Sequence, residues 1–248
     1  MPPRPRRPTR YGRALREDTV PTGQSSIGQK GPVVVIPKAA DYYASDRSDF
    51  LDWIGGEFGR ILDVGCGAGS NASWYRHHGA REIVGIEIDP ASAVLSAAVL
   101  DRVICDPIET AIHVLEGSFD LIVCADVLEH LVDPWSVVRE LGRVAHADTV
   151  LAISMPNIRF LPAILRIAFG RGFAYEEHGI FDSTHLRFFT RRDAASMLHR
   201  GGWVPERWGA PQFGRLGSVL RLAQRSTKGR SDDWLSGQLY VVAHPARG

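Results

Sequence analysis

Apolar residues in this chain come in short blocks separated by helical patterns. The blocks at 60–64, 82–87, 102–105, 119–124 and 149–155 lack strict polar alternation. Strands of that kind are covered on both faces, as in a parallel sheet packed between helices. The stretches between them, 70–78, 91–99, 107–115 and 134–145, read as helices. Three of the helix starts carry the same signal: Asp89-Pro90, Asp106-Pro107 and Asp133-Pro134 place an acid before a proline at the first helical position. Ser70 is placed to cap the helix at 70–78. Thr190 and Asp193 form a capping-box pair that opens a helix to Arg200, and Gly201-Gly202 stops it. Two further strands are expected at 203–208 and 238–244. Repeated strand–cap–helix units predict an α/β, doubly wound and mainly parallel sheet of seven strands.

The pattern breaks in two places. From 156 to 190 an apolar stripe at helical spacing (Phe160, Leu161, Ile164, Leu165, Ala168, Phe169) is followed by a loop rich in Gly, Glu, His and aromatic residues. It predicts an inserted helical lid with an acceptor pocket beneath it. Residues 211–236 hold a short helix, 216–224, and a polar loop. Upstream, 33–36 is a short extended segment, and 41–54 reads as a helix with Phe50, Leu51 and Ile54 on one face.

Composition and charge add a boundary. The 248 residues are 44% hydrophobic and 23% charged, which fits a globular core. The formal charge of +1 hides a division: residues 1–38 hold eight basic and two acidic groups (8 − 2 = +6), and the remainder 21 and 26 (−5). The first segment, rich in Pro and Arg, is expected to be a disordered arm, and 39–248 the folded domain. Such an arm is often only a solvated tail, so nucleic acid is not assigned as a partner. No apolar run reaches the roughly 18 residues of a membrane span. Cys66, Cys105 and Cys124, with no CxxC spacing and no apolar leader, fit a reducing, cytoplasmic location. All three could face one crevice.

The chemistry concentrates after the first strand. Asp63-Val64-Gly65-Cys66-Gly67-Ala68-Gly69 is a glycine turn that lets a ligand approach the backbone. Its spacing is G-x-G-x-G, not the G-x-G-x-x-G of dinucleotide sites. Glu87, at the end of the next strand, can accept both hydroxyls of a ribose.

Ile61–Gly69 resembles the SAM-binding motif of class I methyltransferases, which use S-adenosyl-L-methionine (SAM). Val84–Pro90 resembles their second motif and Phe119–His130 their fourth-strand motif. The resemblance covers about residues 40–210 and implies a Rossmann-like domain. It implies that Asp63, Gly65, Cys66, Gly67 and Gly69 hold the methionine part of SAM. Glu87 and Ile88 would meet the ribose, Asp106 the adenine, and Ala125 and Asp126 the floor, with Tyr43 and Arg47 closing over the cofactor. Ser154–Asn157 and Asp182–Thr190 are similar to a bacterial group found with cell-surface polysaccharide and glycosyltransferase genes. That similarity implies a small-molecule or glycan-linked acceptor, with a hydroxyl as the methylated group.

An alcohol nucleophile needs its proton removed, and His130 and His185 are the candidates. His178 is a third. Asp126, Glu129 and His130 fall at i, i+3 and i+4, so a helical turn would gather them. Ubiquinone-pathway O-methyltransferases and small-RNA 2′-O-methyltransferases look similar here, with Glu in place of Asp126 and a later His matching His185. No metal is assigned. A divalent ion, if one bound, would take Asp126, Glu129, His130 and His185. The competing readings are an NAD-dependent oxidoreductase, and a non-catalytic SAM- or RNA-binding module that uses the arm. Oligomeric state is left open.

Overall fold

The computed structural model describes residues 47–170, 172–211 and 232–247. The arm at 1–38, the helix start at 41–46 with Tyr43, and the helix at 216–224 lie outside them. The seven expected strands are present: β1 (Arg60–Val64), β2 (Glu82–Ile86), β3 (Arg102–Ile104), β4 (Phe119–Ala125), β5 (Ala145–Pro156), β6 (Trp203–Gly209) and β7 (Gln238–Pro245). They form one sheet in the order β3-β2-β1-β4-β5-β7-β6. β7 runs antiparallel to its neighbours β5 and β6, and the pairs from β3 to β5 are parallel. The order reverses between β1 and β4, the switch point where open α/β sheets bind ligands.

The apolar runs fill two cores. Leu62 lies level with Val84 and Ile122, and Ile122 with Leu151, all on one face. Ile61, Ile83 and Leu121 form the adjacent rung on the other. Successive strand residues point to opposite faces, so a run without alternation is what two buried faces require.

The helices are α1 (Ser48–Ile54), α2 (Ala72–His77), α3 (Pro90–Ser96), α4 (Ile108–Ala111), α5 (Pro134–Leu141), α6 (Leu161–Phe169), α7 (Arg191–Arg200) and α8 (Asp232–Leu235). Asp89 and Asp133 cap as expected, accepting from Ser92 N and Ser136 N at 2.8 and 3.1 Å. Both halves of the Thr190–Asp193 capping box form. Two expected caps do not. Ser70 is exposed, and Asn71 is the residue before α2, with no side-chain cap. Asp106 is also exposed, because Pro107 has extended ψ (140°) and is itself the residue before α4. α4 is one short turn that continues as a 3-10 turn, Ile112–Val114. β5 starts four residues earlier than its apolar run. There the Thr149 hydroxyl donates to Phe119 O and accepts from His146 N, 2.7 Å each, across a register shift between Phe119 and Leu121.

Candidate active site

The glycine turn leaves β1 at the switch point. Gly65, Gly67 and Gly69 all have positive φ (71°, 53° and 81°). The amides of Gly65 and Cys66 both donate to Ile86 O, which ties the turn to the end of β2. A Cβ on Gly65 would lie 2.6 Å from the Val127 methyl, so this position needs glycine for dihedral and for space. Glu87, buried just past β2, accepts from Gly67 N and Asp89 N, 2.8 Å each. Burial pushes its carboxyl up. Each carboxylate oxygen keeps a lone pair for a further donor. Asp63, next to last in β1, is buried, 1% exposed. Burial raises its carboxyl to about 7, partly offset by Tyr75 and Asn71. Cys66 turns its side chain against Gly85 and its carbonyl accepts from Gly69 N. Cys124 is buried and Cys105 exposed, so the three thiols do not share a crevice.

On the far side of β4 lies a cavity of about 780 Å³. Its walls come from Arg47, Asp126, Glu129, Phe160 just before α6, Ala163 and Arg166 on α6, the loop 176–182, His185 and Gln238. The segment after β4 therefore faces two ways: Val127 packs on the glycine turn, and Asp126 and Glu129 border the cavity. Asp126 sits in the left-handed region (φ 54°). Three donors hold its carboxylate: Arg47, the Ser154 hydroxyl at 2.9 Å and the Gln238 amide.

Glu129, His130 and His185 offer ligand atoms that lie within 4.8 Å of one another. The Glu129 carbonyl, on the 3-10 turn Leu128–His130, accepts from Leu186 N and Arg187 N at 2.8 and 3.0 Å, which docks the distant loop there. His185 Nδ1 lies 3.1 Å from Ile180 O, and His130 Nδ1 lies 3.2 Å from Thr184 O. A carbonyl only accepts, so each Nδ1 carries a proton. His185 Nε2 is 3.9 Å from Glu129 Oε1. Glu129 is 1% exposed, and neither carboxylate oxygen has a hydrogen-bond partner among the described residues. Burial, and then the charge of Asp126, push its carboxyl well above the usual range.

The methyltransferase domain family model matches residues 38–206 of this chain. The chain belongs to that family. A ubiquinone biosynthesis O-methyltransferase from Hahella chejuensis is 38% identical over 120 residues, 45% of this chain and 49% of that protein. The homologue from Neisseria meningitidis is 32% identical, over 45% of this chain and 50% of its own. This chain thus spans about half the length of these relatives. A SAM-dependent methyltransferase from Mesorhizobium loti shares the fold at TM-score 0.54 and 17% identity, covering 83% of this chain and 98% of its own. The magnesium protoporphyrin IX methyltransferase from Synechocystis, solved with bound S-adenosylhomocysteine, does so at TM-score 0.54 and 15% identity, covering 84% and 82%.

The family makes this a class I SAM-dependent methyltransferase domain, with SAM rather than NAD as cofactor. Its residues fit that cofactor. The glycine turn leaves a bare backbone at the switch point, and Glu87 is fixed by two amides with capacity for two ribose hydroxyls. Ile88 is half-buried beside it, and Ala125 half-buried at the end of β4.

The structure gathers the candidates unequally. His130 and His185 meet, their ring centroids 4.8 Å apart. His178 is exposed on the cavity wall. Arg47 and Asp126 pair with each other on the cavity side. Asp126 is absent from the cluster of possible metal ligands, because a 3-10 turn replaces the helical turn and three donors draw its short side chain away. Sequence reasoning missed Gln238, whose partner lies 112 positions away and leaves no local signal.

Proposed function

We propose that this methyltransferase moves the methyl group of SAM to a hydroxyl of a small-molecule or glycan-linked acceptor held in the 780 Å³ cavity. The observation that carries it is the convergence of Glu129, His130 and His185 beside that cavity, across β4 from the glycine turn. When bound, SAM supplies an activated methyl on a sulfonium. The chain's residues align the acceptor and receive its proton. His185 Nε2 is the acceptor nitrogen for that proton, with Glu129 beside it to stabilise the imidazolium. His130 is the alternative base. Residues 156–190 act as the lid that excludes water. The relatives' names, O-methyltransferases of ubiquinone biosynthesis, support oxygen as the methylated atom. The likeness of 154–157 and 182–190 to polysaccharide-associated enzymes supports a sugar hydroxyl within that class. Radiolabelled SAM offered with panels of phenolic and sugar alcohols tests the reading. Transfer to amines or thiols alone would sink it.

A second reading concerns the same cluster. Glu129 and the two imidazoles bring acceptors together, and an orphaned buried carboxylate needs a cation or a proton. An oxygen–imidazole set suits Mg²⁺ or Mn²⁺ and would hold the ion without Asp126. Such an ion would lower the acceptor hydroxyl's pKa. Turnover that survives exhaustive chelation removes the metal from the reaction.

A further inference from the structure

A second chamber, of about 460 Å³, adjoins the 780 Å³ cavity and shares Arg47 and Gln238 with it. Its other walls include Ser48, Asp49 and Phe50 at the start of α1, and Tyr240 on β7. Side chains two apart on a strand share a face, so β7 turns Gln238 and Tyr240 to the same side. The transfer proposed above makes no use of this chamber. The two spaces differ in chemistry. Phe160, Ala163, Ile180 and Phe181 give the first an apolar wall. The second is walled mainly by groups that form hydrogen bonds.

Tyr240 is the telling residue. It is only 7% exposed, and its ring packs on Phe50 and Trp53 at centroid distances of 4.8 and 5.6 Å. Phenylalanine would make the same ring contacts. A buried tyrosine hydroxyl usually finds a partner, yet this one bonds to no group among the described residues and borders the chamber. Burial, and then the charge of Asp126, push the hydroxyl up to about 12, so it stays protonated and can donate. Two acceptors accompany it. Asp49 is exposed and pairs with no cation among the described residues. The Gln238 amide donates through its nitrogen to Asp126, which leaves its oxygen without a partner among them. An anionic ligand would face Asp49, and Arg47 is already paired with Asp126. A set of hydroxyls fits better, because each both donates and accepts.

We propose, on the reading of the neighbouring cavity as the acceptor site, that this chamber binds the non-reacting hydroxyls of a saccharide acceptor. Tyr240 donates to one of them, and Asp49 and Gln238 accept from others. The chamber thereby selects a sugar over a planar phenol, which lacks those hydroxyls. A site built to hydrogen-bond a hydroxyl rejects the analogue without it, because its own polar groups are then left unpaired.

The test is calorimetric binding to the full chain loaded with S-adenosylhomocysteine. The probes are phenyl glycosides of hexoses, 6-deoxyhexoses and pentoses, with catechol as the control. The wild-type chain binds at least one glycoside more tightly than catechol. Tyr240→Phe keeps the ring packing and weakens that glycoside about fivefold, while affinity for catechol and for S-adenosylhomocysteine changes less than about twofold. Asp49→Ala, at an exposed position, weakens the glycoside in the same direction and serves if Tyr240→Phe is unstable. Binding is read without turnover, so a glycoside that is held through Tyr240 but never methylated supports the chamber and sinks the hydroxyl transfer proposed above. Three results overturn the chamber: no glycoside binds better than catechol, Tyr240→Phe and Asp49→Ala bind glycosides as the wild type does, or Tyr240→Phe loses S-adenosylhomocysteine affinity, which would make the chamber part of the cofactor site.

Discussion

The glycine turn and the loop carrying His185 face each other across the end of β4 and are built by opposite means. The turn is made of backbone. Its amides reach Ile86 O, its dihedrals demand glycine, and a side chain that ties it down, Glu87, lies 20 positions beyond Gly67. The His185 loop is held from a distance: Leu186 and Arg187 bond to Glu129 O, and His130 reaches Thr184 O, 54 positions away. A site for an invariant cofactor can be written locally. A site for a particular acceptor is assembled from parts that can vary one at a time.

The difference predicts that the two halves fail independently. Substituting His185→Ala lowers kcat by about 10²–10⁴-fold, with S-adenosylhomocysteine affinity unchanged by calorimetry. Gly65→Val does the reverse. It forces a side chain into the left-handed region and onto Val127, at about 3 kcal/mol or more. S-adenosylhomocysteine affinity then falls about a hundredfold or more. Loss of cofactor affinity in His185→Ala would show that the halves are one unit.

Asp63 separates them by pH. Its folded carboxyl titrates near 7 rather than 3.8 because burial penalises the charge. A group raised on folding contributes stability below its unfolded value, and that contribution is lost as pH rises through the folded value. Three units set a ceiling of about 4 kcal/mol. Between pH 4 and pH 7.5 the wild-type melting temperature should therefore fall relative to that of Asp63→Asn. Parallel curves would mean that Asp63 is ionised in the folded state throughout.

Legibility follows the same division. Strand positions, the capping aspartates 89 and 133, the capping box and the glycine turn were readable because each is set by residues within a few positions. Asp106 misled because the same Asp-Pro pair opens a shorter helix one residue later. His130 and His185 were readable as candidates, but not their meeting, which needs Glu129 O as the dock. Asp126 looked like a fourth ligand by spacing alone. Its partners Arg47, Ser154 and Gln238 come from three separate elements, and no local pattern announces them.

The segment 157–190 is rooted by Asn157, which is fully buried. Its amide donates to Asp233 O and Ser236 O at 3.0 and 2.8 Å, and its side-chain oxygen accepts from Arg159 N. Asn157→Ala leaves those carbonyls unpaired and costs about 2 kcal/mol. The urea midpoint should drop with an unchanged m-value, while S-adenosylhomocysteine affinity holds.

Gln238 gives the smallest effect and the finest discrimination, because Asp126 stands where the two regions meet. Gln238→Leu removes one of three donors from that carboxylate and leaves the Arg47 pair and the Ser154 bond. A hydrogen bond to a charged group contributes about 1.5 kcal/mol, so kcat/KM should fall about tenfold. Asp126 borders the cavity and the glycine turn does not, so the loss should fall on the acceptor's KM and on kcat. The KM for SAM should stay within about twofold. A fall confined to the KM for SAM would instead put Asp126 with the glycine turn. The boundary between the two regions would then lie at Glu129, one 3-10 turn further along the chain.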